Sequence, residues 1–535
     1  MISRRQFFQR SLQATGSSLL LTSLNGCKPA DAGYTGGLQG PNAKLGHMLR
    51  SMKFEPPRVT LKVPIVIVGG GASGLSAARY LRKFTSDFTL LELGDEPGGN
   101  AASGRNAVSA YPWGAHYLPL PDSHDTELLD FLKEAKVITG YERGLPVYNE
   151  YYLCFDPKER LYIHNYWQEG LVPREGVPAA DRDQIERFLA LMNDYKAKKG
   201  SDGRDAFAIP LELSSRDPDL LSLDRISMAQ FLTDHQFTSA YLKWYVAYCC
   251  ADDYGTSLAD TSAWAGIHYF CSRKGKAANT APDTVLTWPE GNHWLIRQLQ
   301  QSVQPNIRTQ CLVYAVEPRA DHVEILLFDA AAHATQRIIA QKAIMATPQF
   351  VNQRLLTPAV RPLRHEAFEY SPWMVANVTL RDNLSHRHGE SLCWDNVIYG
   401  SESLGYVNAT QQQVRVDNGE HVLTYYKPLT GTDALATRRD AYQRTHDQWK
   451  EMVLRDLKQP HPGIEKSIRE LNTWVWGHGM IRPSPGFIWG DDRATAARPV
   501  NNGIYFAHSD ISGMSIFEEA FYRGYTAAQQ ALHQL

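Results

Sequence analysis

The chain has 535 residues, with 43% hydrophobic and 21% charged residues, and its 55 basic and 57 acidic side chains leave a formal net charge of −2. That length exceeds one ordinary core, and the composition excludes global disorder. The charge balance supplies no electrostatic footprint for nucleic acid, while 12 Trp and 26 Tyr provide material for a core and for pocket walls.

The N-terminus reads Met1-Ile2-Ser3-Arg4-Arg5-Gln6-Phe7-Phe8, followed by an apolar stretch through Leu19, Leu20, Leu21 and Leu24. That stretch is too short to span a bilayer, and Ser and Gly interrupt it. Paired arginines in this frame resemble a twin-arginine signal peptide over residues 1–26. The resemblance implies passage through the twin-arginine translocation machinery to the periplasm, a route that carries proteins already folded around a cofactor. Leu24-Asn25-Gly26-Cys27 resembles a lipoprotein processing site, although Asn25 is not the usual small residue. Cys27 is then either lipidated, attaching the protein to a membrane, or an ordinary cysteine of the leader; one lipid chain alone holds only marginally. Residues 27–60 read as a linker or surface-hugging arm rich in Gly, Pro, Ala and Asn. The other six cysteines include the adjacent pair Cys249-Cys250 and form no CxxC or Cys/His cluster of metal spacing. Buried thiols and no metal are expected.

Residues 63–68, Val-Pro-Ile-Val-Ile-Val, form a continuous apolar run that suits a strand buried on both faces of a parallel sheet. Gly69-Gly70-Gly71-Ala72-Ser73-Gly74 follows directly, then a helical stretch Leu75–Leu81, then a second apolar strand Phe88–Leu91 ending at Glu92. Gly69 permits the tight turn, Gly71 lets backbone approach a pyrophosphate, and Gly74 lets helix pack on strand. The helix N-terminus at Ala72 and Ser73 offers free N–H groups and a positive dipole end to phosphates. Glu92 can accept ribose hydroxyls and repels a 2′-phosphate. Strand, glycines, helix, strand and acid in this order predict an α/β fold with a Rossmann-like dinucleotide-binding domain.

Three further segments carry a family resemblance. A second glycine pair, Gly98-Gly99-Asn100, follows the ribose acid. Val313 and Val316, then Val323–Phe328, then Ala343-Ile344-Met345-Ala346-Thr347-Pro348 read as a meander and a returning strand. Near the C-terminus Gly503-Ile504-Tyr505-Phe506-Ala507-His508-Ser509-Asp510 leads to Gly513-Met514-Ser515 and a helix. From residue 63 to 535 this order resembles the flavoprotein amine oxidase and phytoene desaturase superfamily. The resemblance implies FAD as cofactor. Gly98, Gly99 and Asn100 would lie near its phosphates, with Asn100 where the family usually has Arg. The Val313 backbone would lie at the adenine end, and Asp510 at the ribitol–phosphate region. Met514 would open the segment that faces the flavin. His508 stands where the family usually has Gly, and without the family Asp510 reads as a helix N-cap. The resemblance also implies a discontinuous FAD domain, residues 61–150, 285–350 and 495–535, and an α+β substrate domain, residues 151–284 and 351–494.

Around the flavin, Tyr111-Pro112-Trp113-Gly114-Ala115-His116-Tyr117 matches the family's loop against the isoalloxazine, with Gly114 and Ala115 closest. His116 either hydrogen-bonds substrate or flavin or packs within an aromatic cluster. Thr287–Leu295 resembles the family's loop and helix that re-enter the FAD domain, and its aromatics either face the site or pack at a helix start. Trp474-Val475-Trp476-Gly477-His478-Gly479 gives either an aromatic cavity wall or core, with His478 as a candidate polar group. Many amine oxidases carry a Lys shortly after the Thr-Pro strand, and here Asn377 holds that place, which puts ordinary amine oxidation in doubt. His116, His478 and Asn377 are therefore the candidate catalytic residues for a small-molecule substrate. Three functions remain open: an exported flavoenzyme taking a hydride from an amine or other C–H donor, a desaturase or isomerase of an apolar isoprenoid-like substrate, and a non-catalytic flavin-bearing protein.

Overall fold

The computed structural model describes residues 33–384, 388–413 and 419–533. The arginine pair, the leader and Cys27 lie outside the described residues. From Thr35 onward the chain forms one compact unit.

Two sheets organise it. In the first, Val59–Val68 is central and pairs in parallel with Phe88–Leu91 on one side and Ala334–Met345 on the other. Only its last four residues, Ile65–Val68, are fully buried, which is the part that delivers the glycine turn. Cys311–Pro318, Val323–Asp329 and Ala334–Met345 form an antiparallel meander. The end of Ala334–Met345 changes partner and pairs in parallel with Ile504–Phe506. The helices Ala72–Arg82, His293–Val303 and Phe517–His533 pack together against this sheet. Gly524 lies directly on Ser73 O, so a Cβ there would come within 2.2 Å of it. Ser76 Oγ donates to Phe521 O at 2.7 Å.

The second sheet has eight strands in the order Leu38–Gln39, Ile468–Ile481, Tyr370–Leu380, His421–Pro428, Tyr406–Asn408, Asp395–Ile398, Glu159–Ile163 and Tyr166–Glu169. Every residue of Tyr370–Leu380 is buried. The helices Ala179–Ala197, Ala240–Tyr254 and Ala263–Cys271 share one large hydrophobic cluster with this sheet's inner face.

The segment expected as a linker is largely structured. Leu38–Gln39 adds a parallel edge strand to Thr473–Trp474. Gly36 lies on Leu471 O so closely that a Cβ would approach it to 1.8 Å. The helix Ala43–Ser51 follows, capped by the Asn42 side chain on Leu45 N, and Phe54 stacks on Tyr314 at 4.1 Å. The composition of this arm conceals its backbone pairing and the stacking of Phe54, and those fix it.

Cys154, Cys249, Cys250, Cys271, Cys311 and Cys393 are buried free thiols. Among the described residues no helix is long and apolar enough to cross a membrane.

Two buried carboxyls make stability depend on pH. Burial pushes Asp125 and Glu518 up to about 7, with neighbouring carboxylates adding to the shift and backbone N–H groups opposing it. Their unfolded values lie near 4. The folded form therefore binds more protons between those limits, and stability falls as pH rises from about 4 to about 7, then levels off. Each group accounts for about 3–4 kcal/mol of that fall. Thermal melts across this range should show the decline, and Glu518→Gln should flatten it.

Candidate functional site

The glycine turn has the geometry its spacing requires. Gly69 adopts φ +105°, and a Cβ on Gly74 would come within 1.9 Å of Gly69 O. Gly71 is the N-cap of Ala72–Arg82 with no side-chain cap bond, so the helix N-terminus is left to a ligand. Ala72 is half-exposed there and Ser73 is buried. Glu92 accepts from Gly70 N and Gly94 N, each at 2.7 Å, which fixes both carboxylate oxygens at the strand end. Burial raises the Glu92 pKa against those backbone bonds.

Gly99, at φ +55°, faces Gly71 across the helix N-terminus, and a Cβ on Gly71 would lie 4.0 Å from Gly99 Cα. Gly98 is buried, whereas Gly99 and Asn100 are exposed. Two turns without side chains, an uncapped helix and an anchored acid fit a dinucleotide. Val313 is buried beside a bulge in its strand, and Cys311 N donates to Glu92 O at 2.8 Å, so this strand begins at the ribose acid.

The loop 111–117 leads from this cradle into an aromatic enclosure. Gly114 lies on Asn100 O, where a Cβ would come within 2.0 Å. Trp113 O accepts from Trp476 Nε1 at 2.6 Å, and the Trp113 ring stacks on Trp474 at 5.3 Å. The two tryptophans of that strand therefore hold the loop. Tyr426 donates its hydroxyl to Gly114 O at 3.0 Å and stacks on His116 at 4.6 Å. Trp394 meets both His116 and Tyr117, at 5.6 and 6.0 Å. Ala115 is exposed and His116 and Tyr117 are half-exposed, although protein surrounds both rings. They line an internal space. Burial pushes His116 down to about 3, partly offset by a bond to the Gly114 backbone. Its imidazole is neutral at any working pH and can hydrogen-bond, but it is a poor base.

Carboxylates missed by sequence reasoning enter the same enclosure. Tyr117 Oη lies 3.4 Å from Asp252 Oδ2. Asp253 is neutralised by Arg273, which donates to its two oxygens at 2.7 and 2.8 Å. Asp252 makes no such ion pair among the described residues; burial, then Asp253, raises its pKa, and the nearby Arg273 charge opposes the rise. Asp395 is raised well above the carboxylate range by burial, then by Glu159 and Asp252, against bonds from Asn396 N and the Tyr248 hydroxyl. Both acids are half-exposed although protein surrounds them, as are His116 and Tyr117, while Trp394 and Tyr426 are buried. The enclosure thus combines aromatic faces with two buried carboxyls that have no ion pair of their own among the described residues.

The other expected residues lie elsewhere. Asn377 is buried, donates to Pro112 O at 3.0 Å and accepts from Thr424 Oγ1 at 2.7 Å. Both ends of its amide are used to position the loop. His478 stacks on Phe350 at 3.9 Å and meets Tyr370 edge-on, with no ring contact to the enclosure. Burial, then Arg438 and Arg50, holds it down at about 3. Asn100 donates to Gly479 O at 2.5 Å, tying the second glycine turn to the strand Ile468–Ile481. Met514 is fully buried in the core cluster shared by the second sheet.

Asp510 is not the N-cap of the short helical turn Ser509–Ile511; His508 is. Its Oδ2 accepts from Gln349 N at 2.8 Å and Tyr370 Oη at 2.5 Å, and His508 Nδ1 lies 3.1 Å from Oδ1. Burial alone would raise its pKa, but these partners, His508 foremost, hold it below the ordinary value.

Comparison with known proteins agrees with this geometry. Residues 67–135 match the family described as NAD(P)-binding Rossmann-like domain. No curated protein sequence matches the chain. Among solved structures, putrescine oxidase bound to putrescine superposes with a TM-score of 0.64 at 14% identity, over 89% of this chain and 100% of that one. Cyclohexylamine oxidase from Brevibacterium oxydans gives 0.63 at 13%, over 89% and 99%. A putative protoporphyrinogen oxidase from Exiguobacterium sp. gives 0.60 at 13%, over 89% and 99%. The chain has the fold of these oxidases across nearly its whole length.

Proposed function

We propose that the protein is an exported FAD-dependent oxidoreductase whose substrate is an amine. The observation that carries the substrate class is the pair Asp252 and Asp395 within the enclosure of Tyr117, Trp394 and Tyr426. A protonated amine would relieve the cost of their burial and lie against ring faces. FAD, when bound, accepts a hydride from a C–H bond. The Gly71–Gly99 cradle and Glu92 would hold its dinucleotide half, and Gly114 and Ala115 would meet its flavin. The chain's own part is to desolvate the substrate, bind its ammonium at Asp252, take the ammonium proton there so that the nitrogen lone pair is free, and point the α-carbon toward that loop. Neutral His116 contributes a hydrogen bond without adding a competing charge. The fold's amine-oxidising neighbours agree with this reading.

Turnover with a panel of primary amines and their neutral isosteres tests it. Amines should be oxidised and isosteres of equal shape should not. An apolar lipid that is turned over while every amine is inert would replace it with the desaturase or isomerase reading. Export rests on Arg4-Arg5 and the apolar stretch after them. Fractionation of cells expressing the Arg4→Lys, Arg5→Lys variant should find the protein retained in the cytoplasm, and unchanged periplasmic yield would remove that part.

A further inference from the structure

The arm that precedes the first long strand runs beside the cofactor cradle. Leu38–Gln39 pairs with Thr473–Trp474, and a Cβ on Gly40 would stand 3.6 Å from Val475 O. The helix Ala43–Ser51 then reaches the strand end that holds the ribose acid. A Cβ on Gly46 would lie 3.5 Å from Leu93 Cδ2, and Leu93 follows Glu92 directly. The second glycine turn is tied to the same strand as the arm, because Asn100 donates to Gly479 O beside His478. Arm, ribose acid and second glycine turn therefore meet at the exposed edge formed by Gly99 and Asn100.

Basic side chains from three segments gather here. His47 and Arg50 lie three residues apart on one face of the arm helix, and both are exposed. Arg438 is half-buried on the helix Ala434–Gln443. That helix is seated on the His478 strand through Tyr442, whose Oη would lie 2.3 Å from a Cβ on Gly477. The groups press on one another. Burial, then Arg50, lowers the His47 pKa. Burial lowers Arg438, with Arg50 and Arg439 adding and Tyr442 and Tyr370 opposing. His478 is held down by burial, then by Arg438, Arg50 and His47, against Asp510. Asp510 is itself already shared among Gln349 N, Tyr370 and His508. Like charges brought together in this way are relieved by an anion.

The place selects the anion. Gly71, Ser73, Gly99 and Asn100 carry no charge and Glu92 is acidic, so the two phosphate charges of a dinucleotide call for cations from farther along the chain. Given the flavin assignment above, we propose that Arg50 and Arg438 bind the FAD pyrophosphate, which makes the arm a cover over the cofactor as well as an edge strand. His47 and His478, with lowered pKa values, are neutral near pH 7 and offer hydrogen bonds without further charge.

Flavin fluorescence released on dilution of the purified full-length holoprotein measures the FAD dissociation constant. Arg50→Gln, Arg438→Gln should raise it roughly tenfold or more, a loss of about 1.4 kcal/mol. Arg50→Lys, Arg438→Lys keeps both charges and should stay near the wild type. Added salt should release FAD from the wild type more than from the glutamine variant, and far-ultraviolet circular dichroism should be the same in all three. Wild-type affinity in the glutamine variant, or an equal loss in the lysine variant, overturns the proposal. A wild-type protein that binds no FAD would overturn the flavin assignment and this proposal with it.

Discussion

Asp252→Asn should lower kcat/KM for a primary amine by about 10²-fold, with turnover of any neutral donor unaffected. The side chain keeps its shape and its contact with Tyr117, so the loss isolates the charge. Pairing an ammonium with a buried carboxylate that has no ion pair of its own is worth about 2–5 kcal/mol in comparable settings. The expected change sits at the lower end because Asp395 remains in the same enclosure. The double variant Asp252→Asn, Asp395→Asn should lose more than the sum of the singles, since each acid alone can still hold the cation. Steady-state kinetics on matched amine and alcohol substrates measures both. Equal losses on charged and neutral donors would mean that Asp252 shapes the space rather than binding a cation.

Gly71→Val should yield a folded protein that carries less than roughly a tenth of the wild-type flavin. Gly71 has φ −73°, which any residue adopts, and a Cβ there meets only Gly99 Cα, at 4.0 Å. The valine therefore fits the protein and fills the gap between the two glycine turns. Gly74→Val would be a poorer test, because its Cβ would collide with Gly69 O and disturb the helix itself. Absorbance of the purified variant, beside its circular dichroism, separates loss of cofactor from loss of fold. A variant with full flavin content would place the pyrophosphate away from this turn.

The two ends of this account were unequally legible in the sequence. The dinucleotide cradle could be read because its parts are local: Gly69, Gly71, Gly74 and Glu92 lie within one strand–helix–strand unit, and each residue type answers one backbone requirement. The enclosure could not, because Asp252 comes from the helix Ala240–Tyr254, Asp395 from a strand far along the chain and Tyr117 from a third segment. One signal was present: two adjacent acids near the end of a largely apolar helix, of which Arg273 pairs directly with only one. His478 between glycines read as a site residue, yet its stacking partner Phe350 lies on a helix that no local pattern joins to it. Asp510 reads from the sequence as the acid ending a strand, but the strand stops at Phe506 and Asp510 sits in the turn Ser509–Ile511. The helix whose first N–H it accepts, Gln349–Leu355, is more than a hundred residues away, beyond the reach of any capping rule. The sequence left the arm after residue 35 open between a linker and a surface-hugging segment, because edge-strand pairing is made by backbone and leaves little trace in side-chain composition.

The central claim is a flavin reduced by an amine held on buried carboxylates. Anaerobic titration of the purified holoprotein with putrescine or cyclohexylamine, followed by flavin absorbance, tests it most directly. The account predicts a yellow protein whose flavin band bleaches with at least one primary amine and stays intact with the corresponding alcohol. A colourless protein, or a flavin that no amine reduces, would contradict it.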